Sequence, residues 1–161
     1  LAPLHRGFHF ELDGKGPTGD PNEVTHRVPI FSWHQGYLAC RFNQKAIEGG
    51  ALKSGSGLSD LEQSAINFVG ETAIRSDVEL SMTFEPGDIQ WLNNYVILHS
   101  RTEFEDHDDA ARRRLLLRLW LNHPGARPLA HDFANKALNG PRKGVAKREA
   151  TYEPGELKDS A

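Results

Sequence analysis

The sequence predicts a mostly β domain with one inserted α-helix. Three observations carry that prediction. Residues 112–121 alternate, with Leu115, Leu117, Leu119 and Leu121 on one side and Arg114, Leu116, Arg118 and Trp120 on the other. Successive side chains of a strand point to opposite faces, so this run reads as a strand with an apolar stripe to bury. Residues 28–33 and 37–42 read as two further strands joined by His34-Gln35-Gly36, a hairpin. Only residues 60–75 carry a strong helical period, through Leu61, Ala65, Phe68, Val69 and Ala73.

Taken in order, residues 7–12 read as a short strand, and residues 13–22, rich in Gly, Pro and Asp, as a loop. In the hairpin, Pro29 suits an edge or a strand start, and Phe31, Trp33 and Cys40 read as core. Residues 44–48 form one helical turn that Gly49-Gly50 stops, and residues 53–57 are a flexible loop. Ser59-Asp60-Leu61-Glu62 is a capping box: the Ser hydroxyl accepts from the first turn while Glu62 reaches back. Leu58 staples onto the helix that follows. Its apolar face is expected to cover the leucine stripe of the last strand. Residues 78–84 return as a strand with Leu80, Met82 and Phe84 on one side.

The stretch 85–121 organises the rest. A Pro86-Gly87 turn leads to residues 89–92, and Asn93-Asn94 interrupts the strand. Tyr95, Ile97, His99 and Arg101 then share one face. His99 is a lone imidazole in an apolar strand, a pattern shared by hydrogen-bonded core histidines and by ligands. Residues 102–109 carry Glu103, Glu105, Asp106, His107, Asp108 and Asp109. Adjacent loop residues do not converge easily on one ion, so this run reads as a solvated lid or connector. On the last strand, two cations lie between large apolar residues. That reads as a lined cavity, with solvated edge-strand arginines as the alternative. A buried guanidinium needs an anion, and its flat fork matches a carboxylate at two points. The strand therefore predicts a carboxylate ligand or an internal Asp or Glu.

Residues 87–94 (Gly-Asp-Ile-Gln-Trp-Leu-Asn-Asn), then His99, then Arg113-Arg114-Leu115-Leu116-Leu117-Arg118 resemble the C-terminal half of the taurine dioxygenase and clavaminate synthase-like family. The resemblance covers roughly residues 27–129. It implies an Fe(II)- and 2-oxoglutarate-dependent oxygenase on a double-stranded β-helix (jelly roll), hydroxylating a small molecule as 2-oxoglutarate is decarboxylated to succinate. In that family an Asn precedes the distal iron-binding histidine by five residues, as Asn94 precedes His99. The resemblance implies that His99 is a metal ligand and that Arg114 holds the distal carboxylate of 2-oxoglutarate. Arg118 lies near substrate and the cosubstrate's other carboxylate, and Asn94 is a further substrate contact. Arg118 hints at an anionic substrate. Arg41 and Asn43 border the substrate pocket, although a structural role is the simpler expectation for both. A 2-His-1-carboxylate triad leaves open positions on iron for a 2-oxo acid and O₂.

One departure stands out. The family's other two ligands form a His-x-Asp or His-x-Glu motif far upstream. The only upstream match here is His9-Phe10-Glu11, just before the hairpin, and it reads as a chance match. Residues 1–139 are therefore expected to be the C-terminal portion of an oxygenase β-helix domain, and residues 140–161 a polar, basic tail. The missing N-terminal half lies on another chain, or is truncated, or the protein is a shortened relative. Two alternatives follow: a non-catalytic β-helix module binding an acidic small molecule or a partner chain, and a single-chain enzyme using His9 and Glu11 close to His99.

Bulk properties exclude other classes. At 161 residues the chain can bury a real core. A formal net charge of −3 gives no footprint for nucleic acid. Apolar content of 38% comes without any run long enough to span a bilayer. No apolar signal core precedes the domain, which predicts a cytoplasmic protein. Cys40 is the lone cysteine, so an internal disulfide and a Cys-based zinc cluster are both excluded.

Overall fold

The computed structural model describes residues 1–119, 121 and 125–133. Its core is built by three helices around one hairpin. Helix α1 (Ala2–Arg6) carries Pro3 in its first turn, where the fixed φ of proline suits a helix start, and buries Pro3 and Leu4. Residues 7–28 fold back as an irregular arm. Phe8 and Val28 exchange both backbone hydrogen bonds, at 2.9 and 2.8 Å, and a second isolated bridge joins Glu11 to Val24. Phe8, Phe10, Leu12 and Val28 on this arm are all buried.

Strands β1 (Phe31–His34) and β2 (Tyr37–Cys40) pair antiparallel, with Phe31 opposite Cys40 and His34 opposite Tyr37. Gln35 and Gly36 both have positive φ, 48° and 83°, the turn whose twist matches a two-residue hairpin. Trp33, expected in the core, is 70% exposed. Phe31, two residues earlier on the same face of β1, is partly buried against the core, so the cover ends before Trp33. Cys40 is buried as expected.

Helix α2 (Gln44–Lys53) begins where the Asn43 side chain accepts the Ala46 N–H at 3.1 Å. It runs straight through Gly49 and Gly50 rather than stopping there. Those glycines serve as a contact surface: the arm at His9 and Glu11 lies directly on them, and Glu11 N–H donates to the Ala46 carbonyl at 2.9 Å.

Helix α3 (Asp60–Ala73) has the expected capping box. Glu62 accepts from Ser59 N–H at 3.1 Å, and Ser59 Oγ accepts from Glu62 N–H at 3.3 Å. Leu58 packs against the core beside it. The buried face differs from the expected one. Ile66 and Val69 face inward toward α1, while Leu61 and Phe68 are exposed. Helix α3 therefore closes the N-terminal core rather than covering residues 115–121. The chain returns to that core at Leu129 and Phe133, both buried.

The β-rich expectation is not met. Among the described residues the hairpin is the only sheet, and the runs at 78–84, 89–92, 95–101 and 112–119 form no ladder. Alternation supplies a face to bury, but a strand also needs a neighbour for its N–H and C=O groups. Among the described residues these runs join no ladder, and they stay irregular. The double-stranded β-helix is thus not the architecture of the described residues. From residue 74 to 119 every residue is exposed except Tyr95. Residues 110–112 form a single 3-10 turn, capped by Asp109 on Ala111 N–H. Trp120, His123-Pro124 and the basic tail at 140–161 lie outside the described residues. No helix among the described residues is long and apolar enough to cross a membrane.

Candidate functional site

Asn94, His99, Arg114 and Arg118 all fall in the exposed stretch. Asn93 builds its central turn: its backbone carbonyl accepts Val96 and Ile97 N–H at 2.9 and 3.0 Å, and its side-chain oxygen accepts Tyr95 N–H at 3.1 Å. Asn94 is exposed within that turn. Tyr95 drops onto the hairpin, where its carbonyl accepts Cys40 N–H at 2.9 Å. His99 follows four residues later and is exposed.

Arg114 and Arg118 are exposed as well. The closed cavity expected from the alternation of residues 112–121 is not formed by the described residues. What gathers instead is a cation pair on an aromatic ring. The Arg101 guanidinium sits 4.2 Å from the Phe104 ring centroid and that of Arg114 sits 5.5 Å from it. The negative face of an aromatic ring attracts such cations, by about 0.5–1 kcal/mol at exposed positions. Arg101, Glu103, Phe104 and Glu105 line an open cleft of about 680 Å³. The cleft lining combines one guanidinium, that of Arg101, with two carboxylates, so it is not a purely cationic grip.

His9 and Glu11 have structural partners. The Thr25 carbonyl only accepts, so His9 Nδ1, 2.7 Å away, carries the proton. Glu11 pairs with Lys53 at 2.9 Å, and Lys53 also donates to the Pro21 carbonyl. No group of three His, Cys, Asp or Glu able to hold a metal occurs among the described residues. His107-Asp108-Asp109 makes none: His107 Nδ1 accepts Asp109 N–H, and Asp109 caps the turn.

Sequence reasoning passed over one cluster. Arg41 is hydrogen-bonded to Tyr95, and its guanidinium lies 5.3 Å from the Phe133 ring. Tyr95 meets Phe133 edge-on at 5.9 Å. Burial lowers the Arg41 pKa and raises that of the Tyr95 hydroxyl, and their mutual attraction opposes both shifts. The signal was available: an Arg directly after an apolar strand end, with a Tyr directly after a turn. Nothing in spacing joins two such residues across more than fifty positions.

Residues 6–120 match the taurine catabolism dioxygenase TauD, TfdA family. The FR-33289 synthase of Streptomyces rubellomurinus is 34% identical over 149 residues, covering 88% of this chain and 43% of that protein. The taurine hydroxylase-like protein SAT17 of Stachybotrys chartarum is 35% identical over 103 residues, covering 62% of this chain and 26% of that protein. The chain thus spans less than half the length of these relatives. The match takes in the arm, the hairpin, α2, α3 and the stretch bearing His99, Arg114 and Arg118, and on that ground the chain belongs to the TauD/TfdA family of dioxygenases.

Proposed function

We propose that this chain is part of an Fe(II)- and 2-oxoglutarate-dependent oxygenase. It hydroxylates a small, anionic molecule while 2-oxoglutarate is converted to succinate and carbon dioxide. The observation that carries the reading is the family match across residues 6–120, a range that contains Asn94, His99, Arg114 and Arg118. His99 contributes one iron ligand. Arg114 holds the far carboxylate of 2-oxoglutarate by a two-point contact, and Arg118, with Asn94, faces substrate and the near carboxylate.

The described residues do not by themselves fit an iron ion, because no second histidine and carboxylate join His99. The remaining ligands come, on this proposal, from polypeptide outside residues 1–161. Its arrival also gives the exposed apolar runs something to bury against. The names of the two relatives, a synthase and a taurine hydroxylase-like protein, are in keeping with chemistry on a small molecule.

The test is succinate release from 2-oxoglutarate by the full-length protein with Fe(II) and O₂. Release in wild type and its loss in His99→Ala supports the reading. If the full-length protein neither turns over nor binds 2-oxoglutarate, the reading falls. A second reading, a non-catalytic module that binds an acidic small molecule or a partner chain, draws on the missing ligand set. Binding of a dicarboxylate with no turnover at any metal supply would favour it.

A further inference from the structure

We propose that Arg41, Tyr95 and Phe133 form a docking point that holds the His99 segment on the hairpin, so that Arg41 and Tyr95 are positioning residues for His99. The role of His99 rests on the functional reading above; the docking contact itself does not.

Tyr95 is the one residue between 74 and 119 that is not exposed. Three contacts seat it. Its carbonyl accepts the Cys40 N–H from the end of β2. Its hydroxyl hydrogen-bonds the Arg41 guanidinium, and its ring edge meets Phe133. Arg41 Nη1 is closed off from solvent, and the same guanidinium lies against the Phe133 ring, so one side chain links β2, the turn and the returning C-terminal segment. The turn set by Asn93 presents Tyr95 to this seat. Four residues of extended chain reach at most about 14 Å, so seating Tyr95 confines His99 to that radius. Among the described residues Tyr95 is the side chain of this stretch that packs against the core, so removing the seat would loosen the turn that leads to His99.

The cluster contains its own reporters. The Cys40 amide donates to Tyr95, whereas the adjacent Arg41 amide donates to Ile30 across the hairpin at 2.9 Å. Undocking frees the first and spares the second. Cys40 is buried in the core cluster against which Tyr95 packs, so undocking is expected to make its thiol more reachable.

The experiment uses residue-resolved amide exchange and thiol labelling on the full-length protein, comparing wild type with Tyr95→Phe, Arg41→Met and Arg41→Lys. Tyr95→Phe deletes only a hydroxyl and keeps the packing. The expected result is at least tenfold faster exchange at Cys40 in Tyr95→Phe and Arg41→Met. Arg41 exchange stays within twofold, Cys40 labelling speeds up in parallel, and Arg41→Lys falls between. In 2-oxoglutarate turnover, kcat falls about tenfold in Arg41→Met while KM for 2-oxoglutarate stays within threefold, since Arg114 is untouched. Unchanged Cys40 exchange, or equal acceleration at Cys40 and Arg41, overturns the proposal, the latter because it marks general softening of the core. Absence of turnover in wild type overturns the positioning role together with the functional reading.

Discussion

Gly50→Ala should destabilise the protein by about 3 kcal/mol, although alanine is the better helix former. A Cβ at position 50 would lie 2.2 Å from the His9 carbonyl oxygen, 2.6 Å from its carbon and 2.9 Å from Glu11 N. All three are backbone atoms, so no rotamer change relieves the clash. The arm must retreat by roughly 1 Å, at the upper end of the ~1–3 kcal/mol cost of overpacking. The retreat strains the Glu11 N–H bond to the Ala46 carbonyl, worth about 1 kcal/mol. Alanine's helix propensity returns about 1 kcal/mol. Gly49→Ala is the internal control. Its Cβ would meet, as its three nearest atoms, the Glu11 carboxylate, at 2.5–2.7 Å. That side chain can swing away, giving up an ion pair with Lys53 worth ~0.5 kcal/mol. Gly49→Ala should therefore stay within about 0.5 kcal/mol of wild type. Thermal unfolding followed by circular dichroism should show Tm falling by about 6–12 °C for Gly50→Ala and hardly at all for Gly49→Ala. A Gly50→Ala variant as stable as wild type, or equal losses for both, would refute the close approach of the arm to α2.

Other outcomes follow from the same contacts. Arg114→Met in the full-length protein should raise KM for 2-oxoglutarate about 10–100-fold, the loss of one charge-assisted pair, and initial rates would show it. Ser59→Ala should cost about 1 kcal/mol in chemical denaturation by removing the α3 cap. Glu62 is held below the usual carboxylate range, first by the Ser59 backbone N–H and then by the Ser59 hydroxyl and Arg27. Its contribution is complete above the unfolded pKa and is lost as pH falls through the lower folded value, so the wild-type advantage over Ser59→Ala should shrink in acid. Burial pushes the Cys40 thiol up to about 11. A raised thiol pKa favours the folded state below the unfolded value of 9.0, and this is lost as pH rises through 11. Cys40→Ser should thus flatten the alkaline arm of the stability profile between those pH values, read as midpoint against pH.

Short-range chemistry was legible in the sequence, and long-range pairing was not. The Ser59–Glu62 box and the hairpin are decided by side chains within a few positions; the box stands as read, and the hairpin forms where expected but turns on Gln35-Gly36, with His34 inside β1. Gly49-Gly50 misleads because glycine's low helix propensity looks like a stop, whereas here the missing side chains make room for the arm. The five-residue α1 has no periodicity to reveal it. Trp33 and the leucines at 115–119 alternate like buried strand residues, yet burial depends on an opposing layer that no local pattern encodes. His99, Arg114 and Arg118 were singled out by motif order alone, while the Arg41–Tyr95 contact needed coordinates.

The exposure of Leu80, Ile89, Trp91, Leu115, Leu117 and Leu119 has a practical consequence. Backbone amides and carbonyls in those runs are available to any neighbour that can form a ladder, including a second molecule. In vitro, the 161-residue chain by itself should therefore be limited by protein concentration before temperature, with turbidity appearing first in samples where these leucines meet their own copies.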